Sequence, residues 1–129
     1  MQGLHLVDSS GWLEFLVEGP NAAHFTEPLS DPARVVVPTI SLYEVFRVVL
    51  RTRGEHDAFR AASLMQQGRE VPLSSALALE AARLAHELRL AMADAVILAT
   101  ARATGATLWT QDVNFEGIAG VRYFATARD

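Results

Sequence analysis

The 129-residue chain contains no cysteine and no lysine. The first absence excludes a disulfide framework, a thiolate metal site and a cysteine nucleophile. The second excludes Schiff-base chemistry and a phosphate-loop lysine. All 11 basic residues are arginines, and 15 acidic residues outnumber them to give a net charge of -4, which argues against a broadly basic nucleic-acid footprint. No apolar run reaches the roughly 18 residues a membrane helix needs, and no secretory leader is present, so the cytoplasm is the expected compartment, with no membrane partner. GxSxG, GxGxxG and GxxxxGK[ST] motifs are all missing, which removes the usual nucleophile turn and nucleotide cradles. His5, His24, His56 and His86 are too scattered to form a local zinc-ligand pattern. No Gly/Ser/Pro-rich linker or repeat interrupts the chain, so residues 1–129 are expected to form one domain.

Half of the residues are apolar and the mean hydropathy is +0.17, values of a folded chain rather than a disordered one. At this mass a folded monomer exposes roughly 6,700 Å² against about 20,000 Å² for the extended chain, enough burial for a self-sufficient core. Short apolar runs alternate with helical stretches. Leu4–Val7 reads as a strand leading into a helix over Gly11–Leu16, capped by Ser9 or Ser10. Gly19-Pro20-Asn21 opens a second helix that ends between Pro28 and Pro32, and Val35–Val37 is a β-branched strand stopped by Pro38. A longer helix from Thr39 or Ser41 to Gly54 carries Ile40, Tyr43, Phe46, Val49 and Leu50 as its apolar stripe, and 55–67 is helical. Glu70–Leu73 is a further strand. Leu77, Ala81, Leu84 and Leu88 mark a helix capped by Ser74 or Ser75, and another helix runs from Ala93 to Thr104, ended by Gly105. Thr107–Trp109 and Val121–Phe124 are the last strands. This alternation predicts an α/β fold with a parallel sheet covered by helices on both faces.

In such sheets chemistry collects beyond the carboxyl ends of the strands. Asp8 follows the first strand, and Asp112 comes just after the Trp109 strand. Each is equally explained, taken alone, as a helix cap or turn residue. Glu44 and Asp94 are less ordinary, because Glu44 sits among Ile40, Leu42, Val45 and Phe46 and Asp94 within an otherwise apolar run from Leu90 to Ala99. Glu44 has a bland partner in Arg47, worth about 0.2 to 0.5 kcal/mol, and Asp94 has one in its helix dipole. Burying either without a partner costs several kcal/mol. If the four acids converge they need a cation, since two carboxylates about 4 Å apart repel by about 4 kcal/mol at an effective dielectric of 20. An all-oxygen site suits Mg²⁺ or Mn²⁺, and the chemistry such ions serve is phosphodiester hydrolysis. Arg47 and Arg51 share a helical face with Glu44, placed either to hold RNA phosphates or as a solvated charged face.

Four segments in order resemble the PIN domain family, specifically its VapC-type toxin ribonucleases. They are Val7-Asp8-Ser9-Ser10, Ser41-Leu42-Tyr43-Glu44-Val45, Ala93-Asp94-Ala95-Val96 with its apolar continuation, and Leu108-Trp109-Thr110-Gln111-Asp112-Val113-Asn114-Phe115. The resemblance implies a three-layer fold with a parallel sheet of four or five strands. It implies catalytic roles for Asp8, Glu44, Asp94 and Asp112, with Asp8, Asp94 and Asp112 on the metal and Ser9, Thr110 and Asn114 supporting them. Asn114 departs from relatives that carry another carboxylate, which weighs against a tightly held second ion. The resemblance further implies a homodimeric, Mg²⁺- or Mn²⁺-dependent endoribonuclease silenced by a cognate small antitoxin protein. The alternative is a non-catalytic PIN-like interaction domain. A phosphoryl-receiver module, which also gathers aspartates around Mg²⁺, is disfavoured by the missing lysine.

Overall fold

A computed structural model describes residues 3–127. Five short strands alternate with six helices: β1 (His5–Val7), α1 (Ser9–Leu16), α2 (Ala22–Leu29), β2 (Val36–Pro38), α3 (Thr39–Arg53), α4 (Glu55–Met65), β3 (Arg69–Val71), α5 (Ser75–Leu88), α6 (Met92–Thr104), β4 (Thr107–Thr110) and β5 (Val121–Tyr123). Single 3₁₀ turns occupy Pro32–Arg34 and Val113–Phe115. β1 pairs with β4 and β4 with β5, all parallel, with His5 opposite Thr107 and Leu108 opposite Val121. β2 and β3 form a second parallel ladder, and a parallel bridge between His5 and Val35 joins the two. The resulting spatial order is β3-β2-β1-β4-β5, so the expected parallel α/β fold is present with five strands.

Successive strand residues point to opposite faces of a sheet, and the apolar runs here fill both. Leu6, Val36 and Leu108 pack with Leu84, Ile97 and Leu98 of α5 and α6. Their neighbours Val7, Val35, Val37 and Trp109 pack on the other face with Trp12, Phe25, Val45 and Met65 of α1 to α4. Strands this short present only one or two side chains per face, so helices from both sides must close over them. The strand ends that carry Asp8 and Thr110 are thereby set side by side, locked by the Asp8 N–H donating to the Trp109 carbonyl at 3.1 Å.

The structure corrects several local expectations. Asp8, rather than Ser9 or Ser10, caps α1, because its carboxylate reaches the Gly11 N–H. β2 is shifted one residue on to include Pro38, and α3 begins at Thr39 with no side-chain cap. β3 lies at Arg69–Val71, one residue earlier than the Glu70 start expected and two short of Leu73. The buried face of α3 is Ser41, Val45 and Val49, while Tyr43 and Leu50 of the predicted stripe are exposed at 64% and 43%. Burial there is set by which side of α3 meets the sheet and α4, and a stretch with apolar residues on several sides leaves that choice open. Leu88, at the end of α5, is likewise exposed, whereas Ser74 does cap that helix through the Leu77 N–H.

Candidate active site

Asp8 stands at the carboxyl end of β1 with its carboxylate buried. Oδ1 accepts from the Gly11 N–H at 2.9 Å and from Ser10 Oγ at 2.8 Å, and Oδ2 accepts from Thr110 Oγ1 at 2.7 Å. These bonds favour the ionised form, but burial outweighs them and, with the nearby charge of Asp112, pushes the carboxyl up to about 7. Thr110, itself fully buried at the end of β4, also accepts the Asp112 N–H at 2.9 Å. One hydroxyl therefore connects two of the acids.

Asp112 caps the 3₁₀ turn that follows β4, accepting the Asn114 N–H at 2.9 Å. Asp94 lies half-buried in the first turn of α6. Its carboxyl is raised by burial first, then by the charge of Asp112 and more weakly by that of Glu44, and a hydrogen bond with the Asn114 side chain opposes the rise. Glu44 projects from α3 and accepts a 2.6 Å bond from Ser9 Oγ. The fold thus sets Asp8, Glu44, Asp94 and Asp112 near one another in spite of their like charge, together with Ser9, Thr110 and Asn114. Among the described residues no three acidic or imidazole side chains are already set around a single ligating point. The donors are all oxygen, and two of the acids are destabilised in their charged form, which is the chemistry a hard divalent cation relieves.

Arg47 and Arg51 lie exposed on α3, and neither forms an ion pair with Glu44 among the described residues. The bland Glu44 to Arg47 pairing is replaced by the Ser9 bond. Ser9, considered above as a helix cap, spends its hydroxyl on Glu44, and Ser10, considered only as a cap, spends its own on both oxygens of Asp8. The available signal for Ser10 is its position in the first turn of the helix that Asp8 caps, within reach of the capping carboxylate.

A parallel sheet flanked by helices on both faces, with Asp8 and Asp112 just beyond its strand ends, defines a three-layer α/β domain. The PIN domain model matches residues 5–121, and the chain belongs to the PIN domain family. Among solved structures it is similar to a toxin–antitoxin complex from Klebsiella pneumoniae, at 23% identity, a TM-score of 0.81 and coverage of 95% of this chain and 99% of that one. It is also similar to VapBC2 from Rickettsia felis bound to a promoter DNA fragment, at 16% identity, a TM-score of 0.72 and coverage of 95% and 98%. Mycobacterium tuberculosis VapC20, a sarcin–ricin-loop-cleaving toxin, matches at 21% identity, a TM-score of 0.72 and coverage of 91% and 98%. No curated protein matches the chain.

Proposed function

We propose that the chain is a divalent-metal-dependent endoribonuclease of the VapC type, the toxin of a toxin–antitoxin pair. The observation that carries this reading is a PIN fold in which Thr110 Oγ1 joins Asp8 to Asp112 and Ser9, next to Asp8, reaches Glu44, with Asp94 close enough to feel the charges of Asp112 and Glu44. Asp8, Asp94 and Asp112 would hold Mg²⁺ or Mn²⁺, which supplies an activated water and a counter-charge for the phosphodiester. Thr110, Ser10 and the Gly11 N–H keep Asp8 oriented as it gives up its proton to enter that site. Glu44, fixed through Oε1 by Ser9, keeps its other oxygen to accept a proton from the attacking water. Asn114 braces Asp94 and Asp112 without adding charge. Arg47 and Arg51, one and two turns along α3 from Glu44, are placed for RNA phosphates.

The same reading includes a homodimer, a cytoplasmic setting and a cognate antitoxin whose cationic side chain enters the acidic pocket. The toxin–antitoxin complexes among the structural neighbours support the antitoxin. Purified protein is expected to cut RNA with Mg²⁺ or Mn²⁺, and Asp8→Asn and Asp94→Asn are expected to abolish cleavage while remaining folded. Cleavage that persists in EDTA overturns the metal-dependent reading. Absence of Mn²⁺ binding by calorimetry would instead favour a docking domain without catalysis.

A further inference from the structure

A second polar cluster adjoins the pocket and has no part in the chemistry above. Glu14 of α1, Asn21 just before α2, and Gln111 between Thr110 and Asp112 close a ring of three hydrogen bonds. The Asn21 backbone N–H donates to Glu14 Oε2 at 2.7 Å, Gln111 Nε2 donates to Glu14 Oε1 at 3.4 Å, and Asn21 Nδ2 donates to Gln111 Oε1 at 3.1 Å. Asn21 Nδ2 also donates to the Ala125 carbonyl at 3.1 Å, which ties in the segment after β5. All three side chains are half-buried.

Two local features accommodate the ring. Asn21 is the N-cap of α2, a position where an Asn side chain ordinarily caps, yet its side chain makes no capping bond. Its amide is turned to Gln111 instead. Gly19, in the turn between α1 and α2, leaves the space that the Glu14 carboxylate occupies, and any Cβ there would overlap it.

Gln111 is the residue through which the ring reaches the pocket. Its backbone N–H approaches Ser10 Oγ at 3.4 Å, and its neighbours are the hydroxyl that holds Asp8 and the acid whose charge reaches both Asp8 and Asp94. The last inter-strand bond on this segment is from the Phe124 N–H to the Thr110 carbonyl at 2.9 Å. Beyond it, no strand-to-strand backbone bond among the described residues reaches Asp112, whose own N–H is held by the Thr110 hydroxyl at 2.9 Å.

We propose that the Glu14–Asn21–Gln111 ring is a clamp that sets the position of Asp112, which makes Glu14 and Gln111 positioning residues for the carboxylate pocket. The clamp's purpose rests on the nuclease reading; its hold on the segment does not. Gln111→Ala opens two bonds of the ring. The double change Glu14→Gln with Gln111→Glu reverses the donor and acceptor of one bond, keeps the other two, and leaves the net charge unaltered.

Amide hydrogen exchange at Asp112 and Asn114, measured with Mn²⁺ affinity by calorimetry, provides the test. In Gln111→Ala, exchange at these amides is expected to accelerate about tenfold while exchange in the β1 and β4 core is unchanged, and Mn²⁺ binding to weaken several-fold. The double variant is expected to return both to within about twofold of the parent. Unchanged exchange in Gln111→Ala overturns the clamp, as does a folded double variant that fails to restore protection. Faster exchange with unaltered Mn²⁺ affinity overturns the positioning role. If the parent protein binds no Mn²⁺, the metal reading falls, and exchange in the two variants judges the clamp alone.

Discussion

Replacing Asp8 with Asn is expected to remove a specific loss of stability that the protein incurs between acid and neutral pH. The Asp8 carboxyl is pushed from an ordinary 3.8 to about 7 because burial opposes ionisation more strongly than Thr110, Gly11 and Ser10 support it. A carboxyl raised on folding is protonated in the native state over a range where the unfolded chain has already released its proton. The native state therefore binds more protons there, and stability falls as pH rises from about 4 to about 7, at up to about 1.4 kcal/mol per pH unit. Across the window this amounts to about 4 kcal/mol. Asn is suited as the comparison because it also caps helices and can accept the Gly11 N–H, while Thr110 can turn to accept from its amide. Urea unfolding of parent and Asp8→Asn in EDTA, from pH 4 to pH 8, gives a difference curve that isolates this group from the other carboxyls. The parent's advantage is expected to fall through the window and level off above pH 7. Mn²⁺ at about a hundred times its dissociation constant should then restore about 2.7 kcal/mol to the parent at pH 7.5 and none to the variant. A flat difference curve refutes the reasoning. A curve that rises with pH refutes it more pointedly, because it means that the three donors hold Asp8 charged in spite of burial.

Two other perturbations test the packing around the pocket. Gly11→Ala would set a Cβ 2.6 Å from Val7 Cγ1 and 2.8 Å from the Phe25 ring, both fully buried. Overpacking of about 1 to 3 kcal/mol should exceed the helix-propensity gain of about 1 kcal/mol, giving a net loss by urea unfolding; a stabilised variant refutes the packing. His5 Nδ1 accepts from Trp109 Nε1 at 3.2 Å, and its imidazole is lowered by burial first and then by the charge of Arg34. A lowered histidine resists protonation in the native state, so stability should drop slightly as pH falls below about 6.5, and His5→Gln should flatten that part of the profile.

The outline of the fold was legible because its signals are local. Val35–Val37 and Leu6-Val7 are apolar on both strand faces, as a sheet covered on both sides requires, and Asp8 and Asp112 sit where chains leave strands. Glu44 and Asp94 stood out because an isolated charge inside an apolar stretch is costly without a partner. What the sequence could not specify were the partners themselves. Thr110 reaches Asp8 across 102 residues, Ser9 reaches Glu44 across 35, and Gln111 reaches Glu14 across 97. No short-range pattern encodes such pairs, because they exist only once the order β3-β2-β1-β4-β5 has set the end of β1 beside the end of β4. The same holds for α3, where Ser41 and Val45 rather than Tyr43 and Leu50 are buried. Sequence alone determined which residues are chemically suited to a cation site and that strands and helices alternate to carry them. Tertiary structure decided which hydroxyl serves which acid and how strongly Asp8 holds its proton, because hydrogen bonding and desolvation depend on neighbours brought close only by the fold.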